Sequence, residues 1–179
     1  MNAIIDAVLA FATNAHEGQT RKYTPEPYIS HPIRVMERCK LHTDRAAIHA
    51  AALLHDVLED TAVDAAQLSK FLHGLMPESM ARETMTYVVE LTDVYIKKDY
   101  PQFNRKTRKQ LELDRLANIS PNAQTIKYAD IIDNASEIAV HDPDFARVLL
   151  SEYRQVLKRL VEGDSALYRQ AVKAASSLS

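Results

Sequence analysis

Along Ala51-Ala52-Leu53-Leu54-His55-Asp56-Val57-Leu58-Glu59-Asp60 the chain passes abruptly from apolar side chains to an imidazole and three carboxylates. If the segment is one helix, advancing about 100° per residue, positions 55, 56, 59 and 60 fall within an arc of about 140° and share a face. Ionisable groups crowded against an apolar wall are costly unless something neutralises them. A divalent cation is the simplest neutraliser, and imidazole beside carboxylate suits a first-row transition metal.

Three other places hold residues that could take part in chemistry. His31 opens a helix after the proline-rich run Pro25-Glu26-Pro27-Tyr28-Ile29-Ser30; Asp130 interrupts the otherwise apolar Ile126-Lys127-Tyr128-Ala129-Asp130-Ile131-Ile132; Arg21-Lys22 is a basic pair ahead of the prolines. Each has an ordinary explanation: a capping or surface histidine, a buried aspartate satisfied by Lys127, a solvated pair of cations. The cluster at residues 55–60 resists such an account, because a buried His-Asp pair has no need of two more carboxylates one turn on. Spacing alone leaves a metal site and an internally satisfied cluster equally open.

The elements that would carry these groups all read as helices. Ile4, Ile5, Val8, Leu9 and Ala12 form a stripe of helical period on a first helix ending near His16. Residues 17–30, with Gly18, Pro25 and Pro27, form an irregular loop. His31-Pro32 starts a second helix, with proline at a tolerated early position. Thr43 or Asp44 caps a third helix running to about Leu58. Asp64 starts a fourth that stops before Gly74. Pro77 begins a fifth, with Met80, Thr84, Tyr87, Val88 and Leu91 as its core face. Asn104 to Asn118 is a sixth, heavily charged. Ser120-Pro121 and Asp142-Pro143 are cap-then-proline starts. Gly163-Asp164 separates a long penultimate helix from a terminal one ending near Leu178. No β alternation of useful length, repeat or low-complexity tract interrupts the pattern, so the expectation is an all-α single domain over residues 1–179.

Composition narrows the function classes. The 179 residues suffice for one domain with a substantial core, and 46% hydrophobic with 26% charged residues is ordinary for a globular protein. Only 3 glycines argue against phosphate-loop or Rossmann nucleotide sites, where glycine permits close backbone approach. A net charge of −2 supplies no global field towards nucleic acid or anionic lipid, so phosphate binding must come from a local basic cluster. The single cysteine, Cys39, favours a reducing compartment. The apolar start has Asp6 and no basic region ahead of it, unlike a signal peptide, and there is no stretch long enough to span a membrane. A soluble, cytoplasmic protein is expected.

The order His31, His55-Asp56, Asp130 resembles the HD superfamily of metal-dependent phosphohydrolases. Within it, the chain is similar to the hydrolase domain of RelA/SpoT-type alarmone enzymes, especially the stand-alone small alarmone hydrolases. The stretches that carry the likeness are His16-Glu17-Gly18-Gln19-Thr20-Arg21-Lys22, Pro27-Tyr28-Ile29-Ser30-His31-Pro32, Ala52 to Thr61, Leu91-Thr92-Asp93 and Ile126 to Asp130. They lie in the right order over roughly residues 8 to 160. Residues 104 to 121 further resemble the metazoan SpoT homologue and its bacterial single-domain relatives.

The resemblance implies a helical bundle of about 8–10 helices and one metal ion held by His31, His55, Asp56 and Asp130. Mn²⁺ is the implied ion, and Zn²⁺ accepts the same donors. The implied reaction removes the 3′-pyrophosphate of (p)ppGpp or (p)ppApp with a metal-activated water, and Glu59 and Asp60 share the proton transfers. Substrate contacts carried over by resemblance are Arg21 and Lys22 at the base and ribose, Asn134 near the ribose, and Tyr153. Arg105, Lys106, Arg108 and Lys109 are candidates for the 5′-phosphates, or else a solvated helix face.

Two departures bear on purine preference. The loop Tyr23-Thr24-Pro25-Glu26 is one residue longer than the common Rel pattern. Ile131-Ile132-Asp133 also stands where long Rel enzymes carry arginine and histidine. The competing readings are another nucleotide phosphohydrolase on the same metal, such as an NADPH 2′-phosphatase, and a non-catalytic nucleotide sensor. An HD enzyme acting on nucleic acid fits less well, given the net charge and the lack of a long basic face.

Overall fold

The computed structural model describes residues 3–176. Ten helices follow one another in this stretch, and an isolated antiparallel bridge between Thr20 and Pro27 is the one β feature among the described residues. In order they are α1 (Ala3–Ala15), α2 (Ser30–Lys40), α3 (Ala46–Leu54), α4 (Val57–Asp60), α5 (Ala65–Leu75), α6 (Glu78–Leu91), α7 (Arg105–Leu116), α8 (Pro121–His141), α9 (Pro143–Leu157) and α10 (Ser165–Ala175). None is long and apolar enough to cross a membrane.

Two helices form the centre. α3 is buried from Ala47 to Leu54, and its alanines present small side chains on several faces. Small residues let neighbours approach closely, and α1, α2, α6 and α8 all pack on this one short helix. α8 is the long axis, touched by α2, α3, α6, α9 and α10. It begins as its sequence dictates: the Ser120 hydroxyl accepts the Ala123 N–H, and Pro121 occupies the first turn, where no amide is needed. Asp142 both ends α8 and caps α9, accepting the Phe145 N–H at 3.1 Å.

The differences from the sequence expectation lie at boundaries. The third helix does not run unbroken to Leu58: α3 ends at Leu54, His55-Asp56 form a turn, and α4 resumes at Val57. Both turn residues stay in the right-handed helical region, and Asp60 N–H still donates to Asp56 C=O at 2.9 Å. The path is therefore retained although the regular ladder is interrupted. The cap position of α3 is Arg45, with neither Thr43 nor Asp44 capping it directly; Thr43 Oγ1 instead accepts the Arg45 N–H at 3.2 Å. α5 opens on a reciprocal Asp64–Gln67 capping box and runs through Gly74 to Leu75, its end held by the Met76 N–H, which donates to Leu72 C=O at 3.1 Å, and by the burial of Met76. On α6 Ala81 takes a core position, while Met80 is only partly buried. The expected terminus of the last helix, near Leu178, lies outside the described residues.

Loop 17–29 contains Gly18 (φ 77°), the one left-handed residue among the described residues, which turns the chain out of α1. The Thr20–Pro27 bridge closes the loop, and Tyr28 N–H donates to Gln19 C=O at 3.0 Å. This delivers Tyr28 and His31 to the centre of the molecule.

Candidate active site

Three sequence-distant elements meet at one place. α2 contributes His31 from its first turn, the break after α3 contributes His55 and Asp56, and the middle of α8 contributes Asp130. Ligand-type atoms of His31, His55 and Asp56 lie within 4.8 Å of one another. Asp130 Oδ1 is 3.3 Å from His31 Nε2 and 3.9 Å from His55 Nε2. Asp56 Oδ2 is 3.7 Å and 3.2 Å from the same two nitrogens.

The hydrogen bonds on the far side of each ring fix which nitrogen faces inward. His55 Nδ1–H donates to Ala52 C=O at 2.8 Å, one turn back on its own helix. His31 Nδ1–H donates to Asp133 Oδ2 at 2.7 Å. Each ring therefore turns its Nε2 lone pair towards Asp56 and Asp130. His55 Nε2 is buried and makes no hydrogen bond. Two inward lone pairs and two carboxylates fit a divalent cation.

A cavity of about 690 Å³ opens from this cluster. His31, Asp56 and Asp130 stand at its floor with Lys127, Glu59 and Asp60 beside them; α7 and α9 wall it with Arg105, Lys106, Lys109 and Tyr153. Lys127 Nζ donates to Asp130 Oδ2 at 2.8 Å. Burial lowers the lysine pKa, yet the Asp130 and Asp93 charges leave it raised, so Lys127 is cationic. Burial alone would raise Asp130, but Lys127 and the two imidazoles hold it well below the usual carboxylate value. The buried pair thus sustains itself as ions.

Glu59 and Asp60 behave differently from Asp130. Glu59 Oε2 accepts the Asp93 N–H at 3.0 Å, and partial burial together with the Asp93 charge pushes its pKa up to about 7. Asp60 is raised too, by burial and by Asp56. The Tyr28 hydroxyl sits 2.7 Å from Asp56 Oδ2 and 3.0 Å from Asp60 Oδ2, joining ligand-side and cavity-side carboxylates. His16 stacks on the Tyr28 ring with centroids 4.7 Å apart.

The residues singled out for substrate fall into two groups. Asn134, Tyr153, Arg105 and Lys106 line the cavity; Arg21 and Lys22 do not. Arg21 is buried, ion-paired with Glu137, and donates to Asn134 Oδ1 at 3.2 Å, so it meets the cavity through Asn134. Lys22 is exposed, its ammonium 4.7 Å from the Tyr23 ring and 5.3 Å from that of Phe145. Arg105 pairs with Glu152. Arg108 lies outside the lining and reaches the Phe103 carbonyl. Lys109, which lines it, approaches Asp93 at 3.4 Å.

Sequence reasoning passed over Tyr28, Asp93 and Asp133 as parts of the site. Asp133 had a readable signal: it lies three residues after Asp130 on the same helix, as Arg34 lies three after His31. Tyr28 and Asp93 had none, since only the packing of the loops brings them to residues 56–60.

The HD domain family model matches residues 8–160. The human guanosine-3′,5′-bis(diphosphate) 3′-pyrophosphohydrolase MESH1 is 31% identical over 176 residues, which cover 94% of this chain and 88% of that protein. Its Xenopus tropicalis counterpart is 30% identical over 167 residues, covering 90% and 84%. A probable guanosine-3′,5′-bis(diphosphate) 3′-pyrophosphohydrolase of Mycoplasma pneumoniae is 28% identical over 165 residues, covering 88% of this chain and 21% of that protein. The chain therefore spans about a fifth of the length of such long relatives. The solved structure of a metazoan SpoT ortholog described as hydrolysing ppGpp has the same fold, with a TM-score of 0.81 over 97% of this chain and 94% of that one, at 24% identity.

Proposed function

This chain belongs to the HD domain family, with MESH1 among its relatives, and from that premise we propose that it is a metal-dependent 3′-pyrophosphohydrolase of purine nucleotide alarmones. On this reading residues 1–179 act as a single HD phosphohydrolase domain working in the cytoplasm. His31, His55, Asp56 and Asp130 would hold one divalent ion, Mn²⁺ being the ion that the family resemblance implies and Zn²⁺ being compatible with the same donors. When bound, the ion supplies a Lewis acid for a phosphoryl oxygen and brings the pKa of a water towards neutrality.

The protein's own groups account for the remaining steps. Glu59, with a pKa near 7, is matched to taking a proton from the attacking water at physiological pH. Asp60, tied to Asp56 through Tyr28, would hold that water or return a proton to the departing ribose oxygen. Lys127 offers a fixed cation at the cavity floor for charge developing on phosphorus oxygens. Arg105 and Lys106 would meet the 5′-phosphates from the opposite wall, and Asn134 and Tyr153 would face the sugar. Arg21 would then set Asn134, and Lys22 would join the base only when substrate is present.

The observation that carries this reading is the pair of inward-facing imidazole nitrogens opposite Asp56 and Asp130, beside a cavity large enough for a nucleotide that His31, Asp56 and Asp130 line together with Arg105, Lys106, Lys109 and Lys127. Incubation of the protein with ppGpp, ppApp and NADPH, each with Mn²⁺ or with EDTA, tests it by product analysis. Pyrophosphate is expected from one or both alarmones with Mn²⁺ and not with EDTA. Asp130→Ala should lose bound metal and turnover together, since it removes a ligand. Single phosphate from NADPH alone would make the protein a 2′-phosphatase instead. Tight nucleotide binding without turnover under any divalent ion would make it a sensor.

A further inference from the structure

Asp133 is a buried carboxylate that does not line the cavity, and the chemistry assigned above makes no use of it. Its surroundings are nevertheless highly ordered. His31 Nδ1–H donates to Oδ2 at 2.7 Å, and the Arg34 guanidinium grips both oxygens, Nε to Oδ1 at 2.7 Å and Nη2 to Oδ2 at 3.2 Å. Arg34 Nη1 is held in turn by Glu26 Oε2 at 3.1 Å, and the Ser30 hydroxyl donates to the same glutamate oxygen at 3.1 Å. A line of polar contacts thus runs from loop 17–29 through Arg34 and Asp133 to the back of the His31 ring.

We propose that Asp133, clamped by Arg34, is a positioning residue that fixes His31 in the tautomer and ring orientation needed to ligate the metal. This deepens the metal-hydrolase reading and rests on it. A carboxylate accepting the N–H of one ring nitrogen leaves the other as a lone pair and increases its basicity as a ligand. The two imidazoles of the site obtain this by different means. His55 is locked by a backbone carbonyl of its own helix, which no side-chain substitution removes. His31 depends on one side chain located 102 positions further along the chain. The bidentate guanidinium has a second effect: with both oxygens engaged, Asp133 cannot swing round to become a ligand itself.

Replacement of Asp133 by asparagine keeps the shape but offers His31 an amide that can present either its oxygen or its N–H groups. A donor facing Nδ1 forces the ring proton onto Nε2 and blocks ligation. Asp133→Asn should therefore weaken Mn²⁺ binding about 10- to 100-fold, the usual cost of losing such a carboxylate, and turnover should recover as Mn²⁺ is raised. Arg34→Met, which leaves the Asp133–His31 bond in place, should weaken binding by a smaller factor in the same direction. The measurement is calorimetric titration of metal-free protein with Mn²⁺ alone, beside wild type and His31→Ala, with turnover followed as a function of Mn²⁺. Wild-type affinity in Asp133→Asn, or a loss of turnover that excess Mn²⁺ does not restore, overturns the proposal while leaving the metal site standing. Absence of Mn²⁺ binding in the wild type itself overturns the metal reading on which the proposal depends. Should Asp133→Asn fail to fold by circular dichroism, Arg34→Met decides the matter alone, and unchanged affinity there refutes the clamp.

Discussion

Glu59 and Asp130 are carboxylates of one cavity with opposite electrostatic histories. Asp130 has Lys127 and two imidazoles around it and stays ionised, whereas Glu59 faces Asp93 and prefers its proton. The consequence for stability has a definite sign. A carboxyl whose pKa rises from 4.5 to about 7 on folding binds more proton in the folded than in the unfolded state between those values, so the fold loses stability as pH rises through that window. Glu59→Gln removes that cost. In metal-free protein its melting temperature should equal that of wild type near pH 4 and exceed it by a few degrees above pH 7, while turnover falls at least tenfold. A melting-temperature difference that stays constant from pH 4 to 8 would show that Glu59 keeps an ordinary pKa. At this scale the sequence displayed the ionisable run 55–60 openly, because its residues are contiguous. It hid the Asp133–His31 bond, because nothing in primary order links position 31 to position 133.

Among the elements, α8 shows how a helix can serve both core and site. Its first half is tied to the segment before α10 by buried polar contacts: Glu162 N–H to Gln124 Oε1 at 2.8 Å, Asp164 N–H to Thr125 Oγ1 at 2.9 Å, and the Tyr128 hydroxyl to Leu160 C=O at 2.9 Å. Gly163 lies so close that an added Cβ would meet Tyr128 Cε2 at 2.6 Å and the Thr125 amide nitrogen at 2.9 Å. Gly163→Ala should therefore destabilise the protein by about 1–3 kcal/mol, read by urea unfolding, because backbone as well as a ring must move. A change below about 0.5 kcal/mol would mean that the joint yields easily. Gly163-Asp164 was legible as a helix boundary from residue types, whereas the closeness of the contact there was not. The break between α3 and α4 is the reverse case. Residue types there predict continuous helix, and the turn at His55-Asp56 lies where Asp56 meets His31 and His55 meets Asp130 from other helices.

For the whole molecule, the candidate ligands bind the fold together as well as serving chemistry. α2, the α3–α4 turn and α8 each bring at least one donor, so an ion there would bridge three elements, adding to their apolar packing and to the Asp133 contacts that already join α2 to α8. Binding to the folded state alone stabilises by about 2.7 kcal/mol when free metal is a hundredfold above its dissociation constant. For a chain of this size Mn²⁺ should then raise the melting temperature by about 5–10 °C, and EDTA should reverse it. No shift at saturating Mn²⁺ would count against a site assembled from all three elements.

Helical periodicity, cap-then-proline starts and few glycines determined an all-α chain and most of its boundaries, because those signals act over a few residues and need no partner. The ionisable run at 55–60 likewise announced a charged site, since an apolar helix does not tolerate such groups without neutralisation. Only the tertiary structure decided which nitrogen of each histidine faces inward, that Glu59 holds a raised pKa, and that Arg21 is engaged by Glu137 and Asn134. Hydrogen-bond direction, burial and charge proximity depend on residues distant in the chain, and they acquire values only when the helices pack.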